Sequence, residues 1–138
     1  MTVNNSKGVI FDLDGVLVDT TEFHKQSWFD LGEKEGFEMT EEFFYRTFGT
    51  RNDLIIPHLV QGITDDQMKR LSERKEELYR RLIKGKLELL PGAKVLLDDL
   101  KAQDFLLAIG SSTPRVNLDF MLEHTKTHDY FDVLINGS

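Results

Sequence analysis

Two carboxylates stand two residues apart at the end of an apolar run. In "FDLDGVLVDT", residues 11–20, Asp12 and Asp14 directly follow Gly8-Val9-Ile10-Phe11. Like charges at the edge of a core repel each other and resist desolvation. In an extended segment the side chains at i and i+2 point the same way, so both carboxylates face one small volume. Gly15 lets the chain turn sharply away from it. Such a pair calls for a cation or a shared proton. Hard oxygen ligands without His or Cys suit Mg²⁺, which makes Asp12 and Asp14 the candidate metal ligands. The pair also suits covalent catalysis, with one carboxylate as nucleophile and the other as proton donor to a leaving group. On spacing alone an alternative stands beside this one: a turn whose Asp side chains merely bond nearby N–H groups.

Ser111 and Ser112 shift that balance. They follow a second apolar run, "FLLAIG", and precede a helical stretch. Backbone N–H groups and a hydroxyl at such a junction make an anion site. An ordinary helix cap is the simpler reading of the serines taken alone. A carboxylate pair and an anion cradle at the ends of neighbouring strands together point to metal-assisted phosphoryl transfer.

The elements that must position these groups are legible in the pattern. Residues 8–13 read as a buried strand, short, β-branched and aromatic. Thr20 or Thr21 can cap a helix to about residue 35, with Gly36 as its stop. Thr40 caps a second helix to about residue 48, and Pro57 sits in a third, shorter piece. Thr64 with Gln67 forms a capping box at the start of a long helix that ends near Gly85. Pro91-Gly92 marks a turn before a helix over residues 93–101. Strands over 105–110 and 131–136 follow, with a helix between them. Strands separated by helices indicate an α/β fold with a parallel sheet. The helices between the first two strands exceed what one crossover needs, so they form an inserted α-helical unit. The expected division is core 1–19, helical insertion 20–89 and core 90–138. In such sheets ligands bind beyond the carboxyl ends of the strands, where Asp12, Asp14, Ser111 and Ser112 all fall.

Composition narrows the function classes. The 138 residues carry a net charge of −7 and no cysteine. No basic stripe gathers on one face, which argues against a nucleic-acid partner. No disulfide framework or thiolate metal site can form. No apolar stretch approaches the ~20 residues of a membrane helix, and the N-terminus lacks an apolar signal core. A cytoplasmic protein is the expectation. An acidic chain gives an anionic substrate no long-range attraction, so a phosphate must be held by local devices.

The motif "FDLDGVLVDT" resembles the first motif of the haloacid dehalogenase superfamily, DxDGxLxDT, and "LLAIGSS" resembles its second, an apolar strand ending in Ser or Thr. The helical insertion after the first motif is similar to the C1 cap of the phosphoglycolate phosphatase and β-phosphoglucomutase branch. The resemblance implies a Rossmann-like sheet, here with three strands, and Mg²⁺ as cofactor. It implies that Asp12 is a nucleophile that becomes an aspartyl phosphate. Asp14 would be the general acid/base, its backbone carbonyl helping to hold Mg²⁺. Ser111, with Ser112 and Gly15, would bind the phosphoryl group. True dehalogenases of the superfamily lack the second Asp, so Asp14 favours phosphoryl chemistry.

Periodicity adds a separate signal on the insertion. Met68, Leu71, Leu78 and Leu82 share a helical face, with Lys75 in the middle of that stripe. A lysine there usually snorkels to solvent. His24 shares a face with Trp28 and Leu31, where a lone His is more often a satisfied core residue. The resemblance reads "DTTEFH", "ERKEELY" and "FGTRND" differently. It implies that Thr20, His24, Lys75 and Arg51 are substrate contacts on the cap side, with Arg51 meeting a distal phosphate or polar end. Pro114-Arg115 stand where the mutases resemble Ser-Lys-Asn, which favours a phosphatase for a small phosphorylated metabolite over a phosphosugar mutase.

Two later motifs are also implied, a lysine that steadies the phosphoryl charge and an acidic pair that completes the Mg²⁺ site. Asp98-Asp99 lie within a helix and Lys126 lies in a polar stretch, so none fits either role. The chain therefore reads as the N-terminal portion of a longer enzyme, truncated before both motifs, with weak metal affinity and little turnover by itself. On that reading the first strand keeps an unpaired edge, which offers self-association with another chain. An inactive binding or oligomerising module is the alternative from a different class.

Overall fold

The computed structural model describes residues 6–137. The elements run β1 (Gly8–Phe11), α1 (Thr21–Glu35), α2 (Glu41–Thr47), α3 (Asn52–Leu59), α4 (Asp65–Ile83), α5 (Ala93–Ala102), β2 (Leu106–Gly110), α6 (Arg115–His124) and β3 (Val133–Ile135), with a 3₁₀ turn at His128–Tyr130. They fall into two compact units, 1–20 with 87–138, and 21–86. The insertion expected over 20–89 is thus shorter by one residue at its start and three at its end. Thr20 stays with the first unit because its hydroxyl bonds Asp14. Leu89 stays because it bridges Val18.

The first unit is a parallel three-stranded sheet in the order β1-β2-β3, the α/β arrangement that strands alternating with helices imply. The strands are shorter than the apolar runs that mark them. β1 stops at Phe11 rather than residue 13, because the chain beyond it turns: Val16, Leu17 and Val18 N–H groups all converge on the Leu13 carbonyl. β3 covers Val133–Ile135 rather than 131–136, since Phe131 closes the 3₁₀ turn and Asp132 spends its N–H on the Leu107 carbonyl.

Register places Phe11 beside Ile109 and Ile109 beside Leu134 on one face. Phe11, Leu107 and Ile109 there are buried. Both connections step the same way along the sheet, and with the right-handed crossover that parallel strands almost always take, α5 and α6 are expected on one side of it. Those helices bury Ala93, Leu97, Leu118, Met121 and Leu122. The opposite face stays bare: Ile10 is 73% exposed, Leu106 53%, Val133 53% and Ile135 58%. Parallel sheets ordinarily bury both faces, so this apolar surface is unusual. β1 is also an edge strand among the described residues, paired only with β2.

The second unit is helical. Thr40 caps α2 by accepting from Phe43 N–H. Thr64 and Gln67 form the reciprocal capping box of α4, with bonds of 3.3 and 3.0 Å. These satisfy N–H groups that a helix start leaves without partners. α3 runs through Pro57 and ends two residues later. The core joins Trp28, Leu31, Met39, Phe44, Ile55, Ile56, Leu71 and Leu78. No helix of the described residues is long and apolar enough to cross a membrane.

Candidate active site

Asp12 and Asp14 lie just past β1, in the turn that the sequence reading counted partly as strand. Side-chain alternation survives there: Leu13 is 2% exposed, whereas Asp12 is exposed and Asp14 half-buried. The buried leucine anchors the loop and leaves its two acidic neighbours on the other side. Asp12 Oδ1 accepts the Leu13 N–H at 2.7 Å. Gly15, at φ +77°, reverses the chain, and its N–H reaches the Val18 carbonyl at 2.7 Å. A side chain at that φ would be strained.

Asp14 is the more tightly held carboxylate. Its Oδ1 accepts from the hydroxyl of fully buried Thr20. Its Oδ2 accepts from Thr113 Oγ1 at 2.7 Å. Thr20, grouped by sequence with the cap-side residues, is thus a partner of Asp14 within the first unit. Thr113 lies 99 residues from Asp14 and directly follows the two serines read as a helix cap or an anion site. The hydroxyl in "SST" signals a polar turn but not its long-range partner.

Ser111 and Ser112 follow β2, as the apolar run implies. Ser111 N–H donates to the Ile135 carbonyl at 3.0 Å, and Ser111 Oγ accepts the Thr113 N–H at 3.1 Å. Neither serine caps α6. Pro114 holds the N-cap position and makes no side-chain capping bond, so the expected cap gives way to a tight hydroxyl turn. Gly137 buttresses this loop and was not foreseen. Its N–H donates to the Thr113 carbonyl at 3.1 Å, and a Cβ there would lie 2.1 Å from the Ser112 carbonyl oxygen. The first unit therefore gathers Asp14, Thr20 and Thr113 into direct contact, with Asp12, Gly15 and Ser111 on the same loops.

These donors suit Mg²⁺ in kind. They are hard oxygens, and Mg²⁺ is commonly held by one or two carboxylates, with water and substrate phosphate completing its shell. Among the described residues no cluster of three or more His, Cys, Asp or Glu could hold a metal by itself. Both Asp14 side-chain oxygens already accept hydroxyl donors. Asp12 Oδ2 and the Asp14 backbone carbonyl are oxygens of the kind such an ion takes.

In the second unit the structure brings two predicted residues together and leaves the third apart. Lys75 is 2% exposed and does not snorkel. Its Nζ donates to His24 Nδ1 at 2.8 Å and to Glu76 Oε1 at 3.1 Å, and lies over the Trp28 and Tyr79 rings. Aromatic faces and a carboxylate replace the water that a snorkelling lysine would seek. His24 stacks on Tyr79 with ring centroids 4.0 Å apart and planes 6° from parallel. Arg51 is solvent-exposed and chelated by Asp53, with Nε–Oδ1 at 3.1 Å and Nη2–Oδ2 at 2.9 Å.

Comparison with known proteins follows this geometry. The haloacid dehalogenase-like hydrolase family matches residues 9–138. A phosphorylated carbohydrates phosphatase of Thermotoga maritima is 29% identical over 132 residues, covering 95% of this chain and 61% of that protein. A β-phosphoglucomutase of Bacillus subtilis is 34% identical over 116 residues, covering 78% of this chain and 51% of that one. The crystal structure of a Clostridium difficile β-phosphoglucomutase superposes with a TM-score of 0.83 at 25% identity, covering 96% of this chain and 62% of its own. The chain thus spans about three-fifths or less of the length of these three relatives.

Proposed function

The chain belongs to the haloacid dehalogenase-like hydrolase family, and on that premise we propose that it serves Mg²⁺-dependent phosphoryl transfer, as a phosphatase for a small phosphorylated metabolite. Asp12 attacks phosphorus; the bond to the leaving oxygen breaks as Asp14 gives that oxygen a proton. Water then attacks the aspartyl phosphate, Asp14 takes a proton from it, and phosphate leaves. Mg²⁺, held through Asp12 and Asp14, supplies neutralisation of phosphoryl charge. Gly15, Ser111 and Ser112 hold the phosphoryl group. His24, Lys75 and Arg51 serve as substrate contacts, and Thr20 acts on the substrate through Asp14. The reading places the protein in the cytoplasm, with no nucleic-acid or membrane partner.

The observation that carries this reading is the state of Asp14. Two hydroxyls, one six residues along the chain and one 99 residues away, fix its carboxylate in the loop that also carries exposed Asp12. A merely structural turn needs no such orientation, whereas a proton donor requires it. Hydroxyls both donate and accept, so they serve Asp14 in either protonation state.

Fluoroberyllate, a mimic of a phosphoryl group on a carboxylate, tests the nucleophile directly. Bound ¹⁹F resonances are expected with Mg²⁺ present and are expected to vanish in Asp12→Asn, together with any hydrolysis of p-nitrophenyl phosphate. An adduct or turnover that survives in Asp12→Asn refutes the assignment. A mutase reading is favoured by the superposition on β-phosphoglucomutase, whereas Pro114-Arg115 favour the phosphatase. Self-association through the edge of β1 belongs to the same proposal, supported by its position at the sheet edge and by exposed Ile10.

A further inference from the structure

Glu76 has no part in the chemistry above, yet it occupies the centre of the second unit's polar interior. Its Oε1 accepts from Lys75 Nζ at 3.1 Å and from Asn52 Nδ2 at 2.6 Å. Asn52 also donates to Ser72 Oγ at 3.1 Å. It is the first residue of α3, directly after Arg51. On the other side, Lys75 reaches His24 Nδ1, whose ring lies flat on Tyr79. The contacts form a continuous chain, Asn52–Glu76–Lys75–His24, through α3, α4 and α1. Two groups read as substrate-facing stand at its ends: His24 itself, and Arg51 one peptide bond beyond Asn52.

Burial ordinarily favours the neutral acid. It does push the Glu76 carboxyl up, but the Lys75 charge and the hydrogen bonds from Asn52 and Lys75 outweigh it and hold the group below its usual range. Glu76 is therefore a buried anion and the counter-charge for an ammonium that is itself 2% exposed. Removing one partner of a buried ion pair strands the other, which makes such a pair a strong geometric constraint. An ammonium donating to Nδ1 also requires a lone pair there, so the His24 ring proton sits on Nε2.

We propose that Glu76 is a positioning residue: its carboxylate locks the Lys75 ammonium onto His24 and, through Asn52, fixes the first turn of α3 that follows Arg51. The functional value of the lock rests on reading His24 and Arg51 as substrate-facing; the lock itself does not require turnover.

NMR on the isotopically labelled chain tests it. The observables are the His24 ring nitrogens, the Lys75 Cε and Nζ resonances against pH, and the backbone amides of residues 51–54. In the unmodified chain at neutral pH, His24 Nδ1 is expected to be unprotonated and hydrogen-bonded. Glu76→Gln keeps the shape and removes the charge. Lys75 is then expected to titrate lower by on the order of one pH unit or more, and the 51–54 amides to shift. Glu76→Asp should return the Lys75 titration toward its original position, which a purely steric role would not do. Asn52→Ala should move the 51–54 amides and leave most of the Lys75 titration in place.

An unchanged Lys75 titration with unchanged 51–54 amides in folded Glu76→Gln overturns the proposal, as does a protonated Nδ1 in the unmodified chain. Should Glu76→Gln fail to fold, Glu76→Asp and Asn52→Ala decide. A Lys75 titration displaced from its original position in the charge-keeping first variant, together with still 51–54 amides in the second, overturns it. Loss of the fluoroberyllate adduct at Asp12 bears on the phosphatase reading alone, so the two failures are distinguishable.

Discussion

Thr113→Val removes one hydroxyl and nothing else of consequence, because valine is nearly isosteric with threonine. The lost bond is the 2.7 Å donation to Asp14 Oδ2 from a residue 8% exposed. Hydrogen bonds to charged groups are worth about 1.5–3 kcal/mol. Asp14 is half-buried and keeps Thr20 as a second donor, so the lower part of that range applies, about 1.5–2 kcal/mol. With a urea slope of about 2 kcal/mol/M, the unfolding midpoint of the first unit should fall by roughly 0.8–1 M. Tryptophan fluorescence would miss it, since Trp28 lies in the second unit. Amide hydrogen exchange of β1 and β2 in urea follows the right transition. A double-mutant cycle isolates the bond. In an Asp14→Ala background the same Thr113→Val change should cost about 0.5 kcal/mol or less, giving a coupling of about 1 kcal/mol or more. Equal losses in both backgrounds, or no loss in the unmodified one, would show that Thr113 does not hold Asp14 and would remove the observation on which the catalytic reading stands.

Three further expectations follow from the same geometry. Gly137→Ala puts a methyl 2.1 Å from the Ser112 carbonyl oxygen, so backbone must move; a loss of about 1–3 kcal/mol is expected, with amide shifts concentrated at residues 111–113, and a silent variant would mean that the 136–137 segment does not brace this loop. Asp132 accepts the Leu107 N–H and pairs with Lys101, which together hold its carboxyl below the usual aspartate range. A depressed folded pKa contributes stability above the unfolded value near 3.9 that is lost as pH falls through the folded value. Asp132→Asn should therefore flatten the acid side of the stability–pH profile measured by thermal unfolding, and an unaltered slope contradicts the pairing. Ile10→Lys places charge on the bare sheet face at the edge strand. Light scattering should show less self-association in this variant than in the unmodified chain, and identical masses at high concentration count against the edge as an interface.

The sequence determined whatever depends on near neighbours. Helix starts and stops were legible because Thr40, Thr64 with Gln67, Gly36 and Gly85 act within one turn of where they stand. The parallel α/β plan was legible from apolar runs separated by helical periods, and Asp12-Asp14 stood out by spacing. Tertiary structure decided what depends on partners far along the chain. Thr113 and Asp14 are 99 residues apart and His24 and Lys75 are 51 apart, and no periodicity encodes such a meeting. It decided that Lys75 is buried rather than snorkelling, because only the assembled helices bring His24 and Trp28 of α1 onto the α4 face that carries Lys75, Glu76 and Tyr79. Gly137 gained its importance the same way. A glycine's missing side chain matters only where another backbone comes within van der Waals reach, and that approach is made by the fold.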